Sequence, residues 1–374
     1  MHTHPVVTAA FDSGNIEVLD AGDPAGIRLA IRPDSKAAYH QWFHFRVSCA
    51  PGTDLVLRLE NAGSSSYPRG WEGYSAVVSE DRLAWRRAET AYEGGVLTIR
   101  YRATGSLVWF AAFAPYPLER HHDLVARVAA APGVRHAVLA TTADGHDLDL
   151  LTIGEGPAPV WTIARQHPGE AMAEWWMEGF LARLADPADA LARALRGKAT
   201  FHVVPNMNPD GTKRGHLRTN AHGVDLNRAW ATPDPATAPE VFHVAARMRE
   251  TGVALALDVH GEEGLPWVFL AGPDGVPSRT ERQAALTSLL RTSWIAACPD
   301  LQAEHGYPSA APGKADLRIG CNWIAETFGC PAGTLEMPFK DNSNAPDPVA
   351  GWSPARSMRL GAAALDAIAA VLAA

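Results

Sequence analysis

Residues 160–180, VWTIARQHPGEAMAEWWMEGF, decide the class of fold. The apolar run VWTIA (160–164), with β-branched Val160, Thr162 and Ile163, reads as a buried strand. His167-Pro168-Gly169-Glu170 punctuates a turn. MAEWWMEGFLARLAD (172–186) then spaces its apolar residues as an amphipathic helix does. Strand, tight turn and helix form the first half of an α/β crossover. Glu170 stands where the helix begins, so its charge complements the helix dipole. It also stands three residues after His167, where the two side chains can be half of a metal site.

The same texture continues outward from this stretch. LERHHDLVARVAAA (118–131), APEVFHVAARMRETG (238–252) and LRIGCNWIAETFG (317–329) read as helices. TFHVVPNMN (200–208), VALALDVHG (253–261) and TLEMPF (334–339) read as strands. Apolar strands alternating with helices predict an α/β domain over 118–374 with a mixed, largely parallel sheet flanked by helices. In such sheets ligands bind at the carboxyl ends of the strands. HPGE, NPDG, VHGEE and EMPFKD all fall just after strand candidates.

Residues 1–117 differ. IEVLD, IRLAIR, WFHFRV, LVLRLE, YSAVV, VLTIRYR and LVWFAAF are short, rich in β-branched and aromatic residues, and separated by turn formers. They predict a small antiparallel β-sandwich domain. His2, His4, His40 and His44 carry no ligand spacing and read as exposed or hydrogen-bonded histidines.

Composition narrows the function. Of 374 residues, 47% are hydrophobic and 20% charged, with a net charge of -8. Without basic blocks, nucleic acid and anionic membrane are not expected partners. LVWFAAFA (107–114) and the Ala-rich end are too short to span a bilayer, which takes about 20 apolar residues. The amino terminus has neither the basic start nor the apolar core of a secretory signal. Cys49, Cys298, Cys321 and Cys330 form no CxxC pair and read as reduced thiols. A cytoplasmic protein is expected.

His167 and Glu170 alone make a weak motif. Catalytic zinc is commonly held by two His and one Glu, with its fourth position open. The third ligand should end another strand of the same sheet, and His260, closing LALDVH before Gly261, does so. His202 lies inside a strand, and His216 and His222 lie in a polar loop, so they are weaker candidates.

The stretch NMNPDGTKRGHLRTNAHGVDLNRAW (206–230), taken in order with HPGE, DVHG and TLEMPFKD, resembles the zinc carboxypeptidases. It is closest in pattern to their cytosolic carboxypeptidase branch, which also carries a β-sandwich before the catalytic domain. The resemblance implies one zinc per chain, held by His167, Glu170 and His260. It implies Glu336 as general base and Arg218 beside the scissile carbonyl. Asn227 and Arg228 would hold the substrate's terminal carboxylate, and Asp225 would brace His167 through its second ring nitrogen. Digestive relatives place a mobile tyrosine some twenty residues before the base. Here GKADLR (313–318) holds none, and Tyr307, the only tyrosine after Tyr116, is the candidate. Arg318 is the expected reader of the terminal side chain, which would favour Glu or Asp ends. The expected activity is release of the C-terminal residue from peptides or proteins. The alternative is a zinc deacylase or amidase acting on a small carboxylate-bearing N-acyl amino acid.

Overall fold

The structure is a computed structural model that describes residues 4–374; His2 lies outside the described residues. Two five-stranded sheets form the amino-terminal sandwich. One runs Val6–Thr8, His44–Ser48, Leu107–Ala111, Val77–Ser79, Arg86–Arg87. The other runs Glu17–Asp20, Ile27–Ala30, Asp54–Leu59, Val96–Arg102, Glu89–Glu93. All pairings are antiparallel except Ile27–Ala30 with Asp54–Leu59. The partial alternation of HQWFHFRV follows from burial on both faces of its strand. Phe43 and Phe45 fill the sandwich core, and His44 is buried with Nδ1 3.0 Å from Ser13 Oγ.

From Leu118 onward the chain builds an eight-stranded mixed sheet. Its order is Val134–Thr141, Asp147–Ile153, Ala199–Val204, Ala158–Ala164, Leu255–Glu262, Ala332–Pro338, Val268–Ala271, Leu301–Gln302. The four central strands run parallel. Helices Ala171–Leu184, Glu281–Ala297 and Pro354–Ala373 pack on one face, and Pro239–Thr251 and Gly320–Phe328 on the other. Parallel strands covered on both sides need continuous apolar runs, which VWTIA and LALDVH supply. No helix among the described residues is long and apolar enough to cross a membrane. All four cysteines are free thiols.

The helix Ala171–Leu184 departs from expectation. It is not amphipathic but buried nearly all round, because Pro354–Ala373 covers the side away from the sheet. Glycines permit that contact. A side-chain carbon on Gly179 would lie 2.0 Å from the Met358 carbonyl oxygen, and one on Gly361 would lie 2.1 Å from that of Trp176.

A buried polar network fastens this helix to the sheet and to the turn before it. Glu174 receives Arg165 Nη1 at 2.6 Å and Asn206 Nδ2 at 3.1 Å, and lies 2.6 Å from His121 Nδ1. His121 Nε2 lies 3.0 Å from Asp149 Oδ2. Arg165 also donates to the Pro168 carbonyl at 3.0 Å, so the network grips the HPGE turn itself. Arg165 has a φ of +58°, a conformation uncommon for a side-chain-bearing residue and tolerated where surroundings over-determine it.

Two outcomes follow. Gly179→Ala should lower unfolding stability by about 1–3 kcal/mol in chemical denaturation, the usual cost of overpacking; an unchanged midpoint would refute the close crossing. The second concerns pH. Burial lowers the affinity of His121 for a proton, but Glu174 and Asp149 outweigh it and raise the pKa to about 9. A folded pKa above the unfolded value of about 6.5 means stability fully present below that pH and lost as pH rises through 9. Unfolding free energy should therefore fall on the order of 3 kcal/mol over that window, and His121→Gln should flatten the fall. An equally steep fall in the variant would assign it to other groups.

Candidate active site

Three chain segments meet at the carboxyl edge of the sheet. The turn after Ala158–Ala164 carries His167 and Glu170, Leu255–Glu262 carries His260, and Ala332–Pro338 carries Glu336. Parallel pairing sets His260 directly opposite Glu336. Two of these strands are also neighbours through Ala164 and Val259, which brings the turn to His260.

His167, Glu170 and His260 are all buried, and one donor atom from each lies within 4.8 Å of the others. Glu170 Oε1 lies 2.6 Å from His167 Nδ1, and Oε2 lies 2.8 Å from His260 Nδ1. The two Nδ1 atoms face each other at 3.3 Å. Burial alone would raise the Glu170 carboxyl, but the two imidazoles overcome it and hold it at about 2. Each far ring nitrogen meets an aspartate. His167 Nε2 is 3.1 Å from Asp225 Oδ1, and His260 Nε2 is 2.9 Å from Asp258 Oδ1, though without the alignment of a hydrogen bond. Two imidazoles and a carboxylate turned on one point, with carboxylates behind, are the donor chemistry of a zinc site. The residues fit the ion.

Glu336, Arg218, Asn227, Arg228 and Tyr307 line a cavity of about 950 Å³ that opens on this cluster. Glu336 is buried; its Oε2 has no hydrogen-bond partner among the described residues and its Oε1 lies 3.2 Å from the Tyr307 hydroxyl. Burial pushes the Glu336 carboxyl well above the usual range; Glu170, Glu262 and Glu263 add to this, against the pull of His260. Tyr307 reaches it through a loop, its hydroxyl lying between Glu336 and Glu262 and donating to Glu262. Arg218 donates through Nε to Asp225 Oδ2 at 2.7 Å. Burial would weaken the hold of Arg218 on its proton, but Asp225 reverses this and the guanidinium stays charged. Asp225, despite its burial, is held well below the carboxylate range by His167 and Arg218. Arg228 is exposed at the cavity; its side chain has no carboxylate partner among the described residues and donates to the Asn227 carbonyl at 2.8 Å. Asn227 is buried, with Oδ1 accepting from Gly320 N at 2.8 Å and Nδ2 3.4 Å from His260 Nε2. That leaves its amide little freedom for a ligand.

Arg318 is a correction. Its side chain is 63% exposed and does not line the cavity. Asp316, two residues earlier, takes its backbone N–H at 3.0 Å, Nε at 3.0 Å and Nη2 at 2.8 Å, which turns the guanidinium away. The cavity instead holds Arg291, from helix Glu281–Ala297, which makes no ion pair or hydrogen bond among the described residues. Gly272 lies beside it, a side-chain carbon there falling 3.5 Å from Arg291 Nη2. Arg291 carries no motif and escapes a reading of the sequence alone. Asp258 had a signal, because D-x-H in a strand puts both side chains on one face. Tyr67 comes from the sandwich and lines the same cavity. The weaker histidines lie elsewhere: His202 stacks on Trp161 at 4.8 Å, and His216 Nε2 accepts from Ser35 N at 3.0 Å.

Known proteins agree with this architecture. The sequence model of the cytosolic carboxypeptidase N-terminal domain matches residues 7–113, and that of the zinc carboxypeptidase family matches residues 122–267. A metallo-carboxypeptidase from Pseudomonas aeruginosa, solved in complex with (2-guanidinoethylmercapto)succinic acid, is 47% identical with a TM-score of 0.95, covering 97% of this chain and 98% of that one. A metallo-carboxypeptidase from Burkholderia cenocepacia is 42% identical with a TM-score of 0.96, covering 99% of each chain. Mouse cytosolic carboxypeptidase 1 is 26% identical over 315 residues, 70% of this chain and 26% of its own length. The present chain thus spans about a quarter of that relative. With a zinc-type donor set at the sheet edge and this likeness along nearly its whole length, the chain belongs to the zinc carboxypeptidase family and is a metallocarboxypeptidase with an amino-terminal domain of the cytosolic carboxypeptidase type.

Proposed function

We propose that the protein removes the C-terminal residue from peptides or proteins, with a preference for acidic ends. The observation that carries this is the arrangement around Glu336. Glu336, whose Oε2 has no hydrogen-bond partner among the described residues, shares the lining of one cavity with three guanidiniums, those of Arg218, Arg228 and Arg291.

His167, Glu170 and His260 would hold one zinc ion per chain. Zinc bound there would polarise a carbonyl and make water a nucleophile near neutral pH. Glu336 accepts a proton from the attacking water and delivers it to the departing amine. Arg218 meets the charge that develops on the carbonyl oxygen. Arg228 offers a planar fork for the terminal carboxylate, with Asn227 fixed beside it. Tyr307 closes over the base and the bound end of the substrate. Because one carboxylate must be anchored, internal bonds are refused.

The acidic preference rests on Arg291. Ala271 pairs with Thr334 two residues, or about 7 Å, before the Phe269–Glu336 pair, and Gly272 and Arg291 lie just past that level. A terminal side chain extending from the scissile bond would reach it. A half-buried guanidinium facing an apolar side chain would be left without a partner, at a cost. We place the protein in the cytoplasm, where its free thiols stay reduced.

Two measurements test this. Zinc added to the metal-stripped protein should raise its thermal midpoint, as any ligand of the native state does, and His260→Ala should abolish the rise. An equal rise in the variant would move the metal elsewhere. Free amino acids released from peptides ending in Glu, Asp, Phe, Leu, Lys or Arg, with Glu336→Gln as control, test the rest. Glu or Asp should be released, falling on the order of a hundredfold in Arg291→Ala and little in Arg318→Ala. Release of Lys or Arg instead, which the guanidino compound in the Pseudomonas enzyme makes the arm to watch, would remove Arg291 as reader. No release from any peptide, with hydrolysis of N-acyl amino acids, would favour a deacylase.

A further inference from the structure

One seam between the sandwich domain and the catalytic domain runs along residues 213–219. Ser13 N donates to the Lys213 carbonyl at 3.0 Å and Asn15 Nδ2 to that of Gly215 at 2.8 Å. The centre of this seam is Asp34, which is 3% exposed. Its Oδ1 accepts from Leu217 N at 2.6 Å. Its Oδ2 accepts from Arg218 N at 2.9 Å, Thr219 N at 2.8 Å and Thr219 Oγ1 at 3.0 Å. One buried carboxylate of the sandwich therefore gathers three successive backbone N–H groups centred on Arg218, as anion-binding nests of backbone do.

The Arg218 side chain is fixed from the same domain. Nη1 donates to the Tyr67 hydroxyl at 2.7 Å, while Nε is taken by Asp225. The rings of Tyr39 and Tyr67 lie 5.6 and 5.9 Å from its central carbon, within reach of cation–π attraction. Nη2 has no protein acceptor among the described residues, on a residue that lines the cavity. Tyr67 is itself held rigid, since Gln41 accepts from its N–H at 2.8 Å and donates to its carbonyl at 3.1 Å. The chain Tyr67–Arg218–Asp225–His167 runs unbroken from the sandwich to the metal-ligand cluster.

We propose that the sandwich domain is part of the catalytic apparatus: Asp34 and Tyr67 are positioning residues that hold Arg218, backbone and side chain, where charge develops on the scissile carbonyl. This rests on the reading of Arg218 given above. A guanidinium fixed at Nε and Nη1 has one orientation for Nη2, and a preorganised donor needs no rearrangement as the barrier is crossed. Tyr67 and Asp34 act through Arg218 and touch no reacting atom.

The test is a double-variant cycle on the full zinc-loaded chain, with the peptide cleaved best in the panel above. Arg218→Ala should lower kcat about a hundredfold or more. Tyr67→Phe, which keeps the ring and the fold, should lower kcat about tenfold with KM within about twofold, and should cost nothing further in the Arg218→Ala background. Wild-type kcat in Tyr67→Phe overturns the proposal, as does the same tenfold loss in both backgrounds, which would put Tyr67 on the substrate itself. Full activity of Arg218→Ala would instead fail the underlying reading, a distinguishable result. For Asp34, Asp34→Asn should speed amide hydrogen exchange at residues 217–219 and lower kcat together. Faster exchange there with kcat untouched would release Asp34 from the role.

Discussion

A carboxylate buried beside two imidazoles governs this molecule. Glu170 cannot stay charged at 3% exposure without compensation, and His167 and His260 supply it from two different strand ends. To bring them there, the sheet must hold the strands before each in parallel register. It must also end both at the same edge, and the turn between His167 and Glu170 must be rigid. The buried Arg165–Glu174–His121 network meets the last demand, gripping the Pro168 carbonyl from below. The strain at Arg165 is tolerable because so many neighbours fix it.

The same edge explains the division of labour among carboxylates. Glu170 lies between two imidazoles and stays ionised despite its burial, whereas Glu336, one strand over and opposite His260, is pushed upward first by burial and then by Glu170, Glu262 and Glu263. Groups of one chemical type are thereby separated in character by position alone. That separation is what an acid–base residue beside a metal-binding carboxylate requires.

The sandwich is more than an appendage in this arrangement. It shares one continuous hydrophobic core with the catalytic domain, through residues such as Phe113 and Phe339. Polar contacts from Asp34 and Tyr67 reach Leu217–Thr219, where Arg218 lines the cavity. Apolar packing fixes how the two parts sit, and the directional bonds of Asp34 and Tyr67 then set single side chains within that frame.

Much was legible in the residues. VWTIA before HPGE, LALDVH before Gly261 and TLEMPF each combine a local pattern with a strand end, so the α/β fold and the placing of His167, Glu170 and His260 at strand ends could be read from short stretches, while the role of Glu336 came only with the resemblance that the motifs carry in order. The sandwich announced itself by texture. What failed was direction. Arg318 stands in a stretch that faces the cavity through Asp316 and Ile319, yet an ion pair two residues away turns its guanidinium outward. Arg291 sits in a helix whose pattern says nothing of where one arginine points, and the helix Ala171–Leu184 looked amphipathic because its second covering, Pro354–Ala373, comes from the far end of the chain. Asp34 and Tyr67 lie about 150 to 185 residues from the arginine they hold. Local sequence determines periodicity, turns and strand ends because these depend on near neighbours. Which side chains converge across domains depends on packing, and only the folded chain decides it.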